Sequence, residues 1–450
     1  MVNYFKLTKF LLVLPVLGIF IVSTSTLFPF IVGKYVWFRS AVDFALIAFL
    51  LGLLFNDDDS HMWHRVKAVL KQPLVIAVSI FVAIFLLAGF FGVDPMMSFW
   101  SNFERGEGGL QLVHFWIWFT LLVTLFREEK DWQNIFGFAL VGGALMAAYG
   151  FLAGVGASGF IGPKFGTERI SGSIGNSAYT AAYSIFMLFY IGYLLISKYK
   201  GKLRSGGAIV LYVLSLVFFT TFLLAGTRGA FMGLVASMIA FLVFFAFTRK
   251  EWRKWVISAI VAIVLLVGLG IKFKDSAFIK AIPGSRIFDI SVGAKTFEDR
   301  SYMWTIAVDG AKVYPVLGWG PENYLHIFDQ RFNIKYFKPS EGFGAWFDRA
   351  HSIYFDYLSE IGILGLLSFL GMFIVFYFQF FKKRIADSIL SSKSVTEQAL
   401  LFSMLFAYLV QGLVLFDVSP IYLNVFLILA FGAYQFQPHV SKVAVQQKHK

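Results

Sequence analysis

Residues Phe347–Leu367, FDRAHSIYFDYLSEIGILGLL, combine ionisable groups with the start of an apolar run. His351 comes first, Asp356 and Glu360 follow, and the chain turns apolar at Ile361. Because a helix rises about 1.5 Å per residue, the ten positions from His351 to Ile361 would cover roughly 15 Å. We predict that a helix enters a membrane here from an aqueous face. His351 would then lie at or just above the bilayer surface, where an imidazole could accept a proton.

Two arginines could supply positive charge near that histidine. Arg228 lies in LLAGTRGAFMGL, one polar turn between two apolar segments. Charges at membrane depth are costly and tend to be functional, although an arginine can also extend to lipid headgroups. Gly226 and Gly229 would permit close approach of a ligand or backbone, and a guanidinium suits phosphate oxygens. Arg300 precedes an amphipathic helical pattern over Tyr302–Val313, and an ordinary solvated helix start is an equal alternative there.

Five further residues are candidate accessory groups. Arg169 and Asn176 precede an apolar segment, and Asn176 is equally suited to cap a helix. Glu322 and Asn323 follow the sequence GWGP, which predicts a turn with close backbone approach. This turn is not a phosphate-binding loop, because a preceding strand and a third glycine are missing. Arg349 lies two residues before the histidine discussed above.

The sequence gives no pattern for a metal or cofactor. There are no cysteines, which excludes thiolate ligands and nucleophiles. The acidic residues near the candidate site are scattered without a DxD-type pair, and His61-x-x-His64 has no evident third ligand. We therefore predict a metal-independent, cofactor-free site with one imidazole and several guanidinium groups. Arginines would hold a diphosphate, and His351 would take a proton from an incoming hydroxyl.

The composition is typical of a polytopic membrane protein. Hydrophobic residues make up 58% of the 450 residues and charged residues 14%, against about 25% charged residues in soluble domains. The net charge of +13 does not indicate nucleic-acid binding, since membrane proteins concentrate Lys and Arg on cytoplasmic loops. We predict an all-α protein in contact with membrane lipids and with no nucleic-acid partner.

Twelve apolar segments are long enough, or nearly long enough, to span a bilayer. They lie near Phe10–Val32, Val36–Phe55, Pro73–Phe91, Leu110–Phe126, Trp132–Leu152, Ala178–Ser197, Ile209–Ala225, Ala230–Phe247, Trp255–Ile271, Ile353–Phe381, Ala399–Phe416 and Ile421–Phe436. This predicts helices 1–9 in residues 1–271 and helices 10–12 in residues 353–450. The intervening residues 272–352 are rich in aromatic residues, which predicts a partly helical subdomain rather than disorder.

The distribution of Lys and Arg predicts the orientation. If the amino terminus is inside, the inner loops hold many more of these residues than the short outer loops, and the alternation holds at every loop. Both termini would be cytoplasmic and the long loop extracytoplasmic, in a multi-pass protein of the cytoplasmic (inner) membrane. His351 and the candidate arginines would then share the outer side.

A set of short motifs resembles the O-antigen ligase family, which includes related O-antigen polymerases and protein O-oligosaccharyltransferases. The motifs are Arg169-x-Ser-Gly-x-x-Gly-Asn, Thr227-Arg228-Gly, Arg300-x-x-x-Trp304, Pro315-x-x-Gly-x-Gly320 with Asn323, His351-Ser-x-Tyr and Glu360-x-Gly362-x-x-Gly365. No single motif is specific, but the set in this order on this topology is. The segment FERGEGGLQ also resembles the family's outer loop at that place.

The resemblance implies a GT-C-type glycosyltransferase with an undecaprenyl-diphosphate-linked glycan as its donor. Arg228 and Arg300 match positions at which the family uses arginine against the donor diphosphate. His351 matches the family's loop histidine, which would activate the acceptor hydroxyl of a lipid, glycan or protein. Many members have asparagine next, where this chain has Ser352. The implied reaction is an inverting single displacement.

Several alternatives remain open. Within the family, the motifs do not separate a ligase from a polymerase or a protein glycosyltransferase. A lipid-linked glycan flippase or transporter would require ionisable residues deep in the bundle and usually a repeat, whereas the charges here lie at the outer rim apart from Asp43. A SEDS-type peptidoglycan polymerase would require a loop motif with a catalytic aspartate, which the sequence lacks.

Overall fold

The computed structural model describes residues 3–55, 59–102, 105–154, 169–282, 284–290, 295–334, 337, 346–387 and 395–437. The predicted cytoplasmic carboxyl terminus and parts of the predicted outer loop lie outside these ranges. The helices are α1 (Tyr4–Leu11), α2 (Val32–Phe55), α3 (Asp59–Leu70), α4 (Pro73–Phe90), α5 (Pro95–Trp100), α6 (Gly109–Leu125), α7 (Glu129–Gly154), α8 (Ser177–Ser197), α9 (Gly206–Ala225), α10 (Arg228–Thr248), α11 (Arg253–Lys272), α12 (Ala277–Lys280), α13 (Lys295–Val313), α14 (Tyr324–Arg331), α15 (Ile353–Glu360), α16 (Gly362–Asp387), α17 (Val395–Gln411) and α18 (Ser419–Phe436).

Nine of the described helices are long and apolar enough to cross a membrane, namely α2, α4, α7–α11, α16 and α18. The apolar helices α6 and α17 are shorter. These eleven helices coincide with eleven of the twelve predicted segments. The structure confirms an all-α polytopic membrane protein, while the first predicted segment differs.

The prediction of one continuous span over Phe10–Val32 was wrong. Helix α1 ends at Leu11, a 3-10 turn covers Leu14–Phe20, and turns follow until α2 begins. Pro15 has no N–H and its ring clashes with the preceding turn, so an α-helix does not continue through it. Lys34 then holds the non-helical segment, because its Nζ donates to the carbonyl oxygens of Ile21, Phe30 and Ser173 at 2.6, 2.7 and 2.7 Å.

The predicted span Ile353–Phe381 is two helices rather than one. Helix α15 ends at Glu360, and Gly362 then has a φ of +67°, in the left-handed region that favours glycine. The Gly-Trp-Gly turn occupies the break, since the N–H of Trp319 donates to Ser359 O at 3.0 Å and that of Gly320 to Glu360 O at 2.7 Å. The close backbone approach predicted for this turn is therefore an approach to the end of α15.

The segment between α11 and α15 contains its own buried apolar cluster. Helix α13 includes the helical pattern predicted over Tyr302–Val313 and contacts α14 and α15. The buried side chains are Met303, Ile306, Ala307, Trp319, Tyr324, Ile327, Phe328 and Ala350. This cluster anchors α15 and, with it, the turn that carries the candidate histidine.

The amino-terminal ends of α8, α10 and α15 meet at one end of the bundle. The hydroxyl of Thr227, before α10, donates to Ser177 O at 3.3 Å. The N–H of Ile353 donates to Gly412 O and Leu415 O at 2.9 and 3.0 Å, which joins α15 to the turn between α17 and α18. The candidate site lies at this end.

Candidate functional site

His351 occupies a turn that leaves one ring nitrogen available. Its Nδ1 lies 3.1 Å from the carbonyl oxygen of Arg349. A carbonyl oxygen only accepts, so Nδ1 carries the proton of the neutral ring and Nε2 keeps its lone pair. Phe347 and Phe416 pack edge-on against the imidazole, with ring centroids 5.3 and 5.0 Å away. The ring is thereby held as a proton acceptor at Nε2.

The surroundings of His351 keep its imidazole neutral. Burial lowers the pKa of His351 below 6.5, and the positive charges of Arg300 and Arg105 act in the same direction. The bond to the Arg349 carbonyl and the carboxylate of Asp348 oppose this shift without reversing it. A neutral imidazole at neutral pH is the form that a general base requires.

Arg228 begins α10 and reaches toward the segment before α13. Its Nη1 donates to Asp289 O at 2.8 Å and lies 3.9 Å from Asp289 Oδ2. Lys274 Nζ lies 2.7 Å from Asp289 Oδ1. The bond from Lys274, more than any other interaction, lowers the pKa of the Asp289 carboxyl group. One carboxylate therefore lies between two cations.

Further arginines surround Arg228. Arg169 Nε donates to Ala225 O at 2.7 Å, and its Nη2 donates to Thr227 Oγ1 at 2.6 Å. Burial lowers the pKa of Arg169, and the charges of Arg286 and Arg228 lower it further. Clustered guanidinium groups that repel one another form a site where a multivalent anion would be stabilised.

Arg300 connects the arginine cluster with the histidine. Burial lowers the pKa of Arg300, and the next largest contribution is repulsion by Arg228. The charge of Arg300 in turn lowers the pKa of His351. The charge of Arg300 thus interacts with that of Arg228 on one side and with the His351 imidazole on the other. Their catalytic and binding roles stay predictions.

Three of the predicted accessory residues have internal partners. Arg349 forms ion pairs with the buried carboxylates of Glu322 and Glu360. Asn323 is fully buried and its amide donates to Ser98 Oγ at 2.9 Å and to Trp319 O at 3.0 Å. These contacts hold the turn after α13 and the turn before α15 against each other and against α5.

Asn176 caps α8, whereas Ser352, at the N-cap position of α15, makes no capping hydrogen bond with its side chain. The side chain of Asn176 accepts from Ala178 N at 2.8 Å, which is the structural alternative that the sequence left open. Ser352 is fully buried and its hydroxyl lies 3.3 Å from Gly412 O, to which it donates. Ser352 therefore joins the start of α15 to the turn after α17.

The sequence did not indicate three residues that the fold brings to the site from distant parts of the chain. Arg286 lies in a short 3-10 turn, and only its positive charge in an outer segment marked it. Phe416 contacts the histidine ring and lies under Arg105, whose Cζ is 4.7 Å from the ring centroid. Tyr179 lies near both Arg105 and Arg300 and packs on Phe416 at 5.6 Å. None of these contacts follows from a local motif.

The described residues contain no group of three or more His, Cys, Asp or Glu side chains arranged to hold a metal ion. The described side chains of the candidate site are mainly guanidinium groups, one imidazole and aromatic rings, and its Asp289 and Asp348 carboxylates are already paired with cations. This set of donors suits an anionic ligand rather than a divalent cation. Metal independence of the chemistry stays a prediction.

Comparison with known proteins agrees with the resemblance seen in the motifs. Residues 213–370 match the family model described as O-antigen ligase. This segment contains Arg228, Arg300 and His351. None of the curated proteins compared with the chain matches it. The match covers about a third of the 450 residues and supports the resemblance to the O-antigen ligase family that the motifs indicated.

Proposed function

We propose that this protein transfers a glycan from undecaprenyl diphosphate to an acceptor hydroxyl at the outer face of the cytoplasmic membrane. One observation carries the proposal: a half-buried, neutral imidazole, whose Nε2 has no hydrogen bond to the described residues, lies within the electrostatic influence of Arg300, and Arg300 within that of Arg228. A base beside an anion-binding site is the arrangement that glycosyl transfer from a diphosphate requires.

In the proposed reaction, Arg228 and Arg300 bind the donor diphosphate, and Arg169 and Arg286 add positive charge beside them. The acceptor hydroxyl attacks the anomeric carbon as His351 Nε2 takes its proton. The bond between that carbon and the diphosphate oxygen breaks, and its electron pair leaves with the diphosphate. The arginines stabilise the charge that develops there. Attack from the face opposite the leaving group inverts the anomeric configuration.

Donor binding would also make proton transfer to His351 more favourable. Before binding, the charge of Arg300 opposes protonation of His351. A bound diphosphate would offset that charge, so an imidazolium would form more easily in the complex than in the free protein. Arg300 would thus bind the leaving group and also couple donor binding to the pKa of His351. The resulting imidazolium would lose its proton to water after transfer.

The topology that we propose has membrane parts in residues 1–271 and 353–450 on either side of an outer subdomain, residues 272–352. The termini would be cytoplasmic and the arginine cluster extracytoplasmic. The acceptor would be a hydroxyl of a lipid, a glycan or a protein, and the ligase reaction is the one we propose first. A polymerase of the same family is the alternative, since it uses the same donor chemistry.

A deletion strain complemented with variants tests the proposal. Arg228→Ala should accumulate to the wild-type level in membranes and fail to restore the glycoconjugate, because the diphosphate loses a direct contact. Arg331→Ala, the same change at an exposed outer arginine, is the control and should restore it. Wild-type product from Arg228→Ala would refute the assignment of the donor site.

The missing product separates the reactions. Full-length chains left on the lipid carrier would indicate a ligase, and collapse of a ladder to single units would indicate a polymerase. Donor that accumulates at the outer leaflet supports a transferase. Donor that accumulates at the inner leaflet would instead support a flippase and overturn the proposal.

A further inference from the structure

Arg349 is the centre of a buried ionic cluster that we call the Arg349 cluster, consisting of Arg349, Glu107, Glu322 and Glu360. Arg349 Nη1 lies 3.2 and 3.0 Å from the two carboxylate oxygens of Glu360. Its Nη2 pairs with Glu322 Oε1 and lies 4.0 Å from Glu107 Oε2. All four side chains are at most 9% exposed. One arginine therefore joins carboxylates from three separate segments.

Each carboxylate of the Arg349 cluster also holds a piece of backbone or a neighbouring loop. Glu360 Oε1 accepts from Tyr324 N at 3.3 Å, and Glu107 Oε1 accepts from Ser419 N at 2.5 Å. Glu322 Oε2 accepts from the hydroxyl of Ser101 at 2.7 Å. The cluster consequently ties α14, α18 and the loop after α5 to the residue whose carbonyl oxygen contacts the histidine.

The turn at His351 requires such external support. Its φ is +57°, a left-handed conformation that costs a non-glycine residue about 1 kcal/mol or more. Residues in this region persist where the surroundings overdetermine them. Here the preceding N–H, that of Ala350, donates to Asp356 Oδ1 at 2.6 Å. Arg349, which precedes Ala350, is held by the ion pairs of its own side chain. Arg105 donates two hydrogen bonds of 2.9 Å to the Asp348 carboxylate, one residue earlier.

We propose that Arg349 is a positioning residue for His351. Its side chain, held by Glu322 and Glu360, fixes the backbone carbonyl oxygen that accepts the Nδ1 proton of the imidazole. That bond selects the tautomer with a free Nε2 and sets the direction of the ring. The inference rests on the proposed function, in which Nε2 is the base, and adds a residue that does not touch the substrate.

The cluster is not explained by stability alone. Four carboxyl groups on buried side chains, those of Glu107, Glu322, Glu360 and Asp356, act on the buried Arg349. Replacing a buried ion pair by neutral side chains of similar size is often neutral or stabilising. A purely structural role would therefore be met as well by apolar packing. Positioning of the Arg349 carbonyl oxygen would explain why these contacts are ionic.

The double variant Arg349→Met/Glu360→Gln tests this role; it removes the Glu360 pair whole but leaves the Glu322 carboxylate without its arginine. We therefore expect a lower unfolding temperature. In the folded protein we expect the KM for donor to stay near wild type, while kcat falls by about ten- to a hundredfold, since small misplacements of a catalytic group have effects of that order. Arg349→Lys should recover part of the loss, because an ammonium can pair with the same carboxylates. Arg331→Met, at an exposed arginine, is the matched control and should change nothing.

Chemical modification measures the accessibility and the protonation of His351 without relying on activity. Diethyl pyrocarbonate modifies neutral imidazole, and mass spectrometry of peptides can follow His351 as a function of pH. In the double variant we expect faster modification and a higher midpoint, because the ring loses its fixed partner and is more hydrated. A wild-type midpoint together with a wild-type kcat would overturn the positioning role.

The two readouts separate failure of the inference from failure of the proposed function. If wild-type protein transfers no glycan but the modification midpoint shifts in the variant, the proposed function is wrong and the positioning role stands. If the double variant does not fold, Glu322→Gln, which removes one of the two pairs, replaces it in both assays. An unchanged midpoint and kcat in that variant would also count against the inference.

Discussion

Glu107 gives a sharp prediction about stability and pH. Its side chain is 6% exposed, and Oε2 has no hydrogen-bond partner among the described residues. Burial raises the pKa of Glu107 from 4.5 to about 8, although Arg349 acts in the opposite direction. The folded protein therefore binds this proton more tightly than the unfolded chain does. Glu107→Gln replaces the protonated acid by a neutral group of the same shape.

The sign and the size follow from linkage. A group with a raised folded-state pKa contributes stability that is fully present below about pH 4.5 and is lost as pH rises to about 8. The difference of about three and a half pH units, at about 1.4 kcal/mol each, sets an upper bound of about 5 kcal/mol. Glu107→Gln should match the wild type near pH 5 and be the more stable protein near pH 9.

Thermal unfolding of purified protein between pH 5 and 9 measures this difference. The unfolding temperature of the wild type should fall more steeply with pH than that of Glu107→Gln. Glu251→Gln, at a carboxylate whose side chain is 59% exposed, is the control and should follow the wild-type curve. Parallel curves for the wild type and Glu107→Gln would refute the view that burial in the Arg349 cluster protonates this residue.

Three further predictions concern the donor site and the base. Gly284→Ala would place a Cβ 1.9 Å from a carbonyl oxygen of α9, at a residue whose φ is +78°. Binding of a prenyl diphosphate, measured by calorimetry, should therefore weaken. The control Gly268→Ala, whose Cβ would have no atom within 4 Å, should not change the affinity, and equal affinities of the two variants would contradict the placement of the turn at Gly284. Arg286→Ala should raise the Kd for the same ligand and lower the salt dependence of binding, and an unchanged Kd would remove Arg286 from the site. Because a bound diphosphate would offset the charge of Arg300, the acidic limb of the kcat profile should lie at higher pH than that of kcat/KM, through the pKa of His351. Coincident limbs would contradict the coupling.

The sequence predicted the features that depend on local composition. Apolar runs separated by charged turns predicted eleven of the described apolar helices, nine long and two shorter, because a bilayer imposes both length and hydropathy on a span. The Asn176 cap and the turn at Gly318 follow from the conformations that asparagine and glycine favour. The prediction for the first segment was wrong because hydropathy does not register Pro15, whereas proline interrupts an α-helix.

Long-range contacts were beyond the sequence. Glu107 and Arg349 lie more than 200 residues apart, and nothing in either local sequence selects the other as its partner. Arg349 was singled out only for its closeness to His351 along the chain. The left-handed turn of His351 is equally unexpected, since a non-glycine residue adopts it only under support from its surroundings.

Single-turnover transfer with bound donor tests the central claim, that His351 is the base beside the arginine cluster. His351→Gln keeps a polar side chain without a basic nitrogen. We predict that it binds donor as the wild type does and transfers about a hundred- to ten-thousandfold more slowly, the range typical of lost general-base catalysis. Transfer at the wild-type rate by His351→Gln with bound donor would contradict the account.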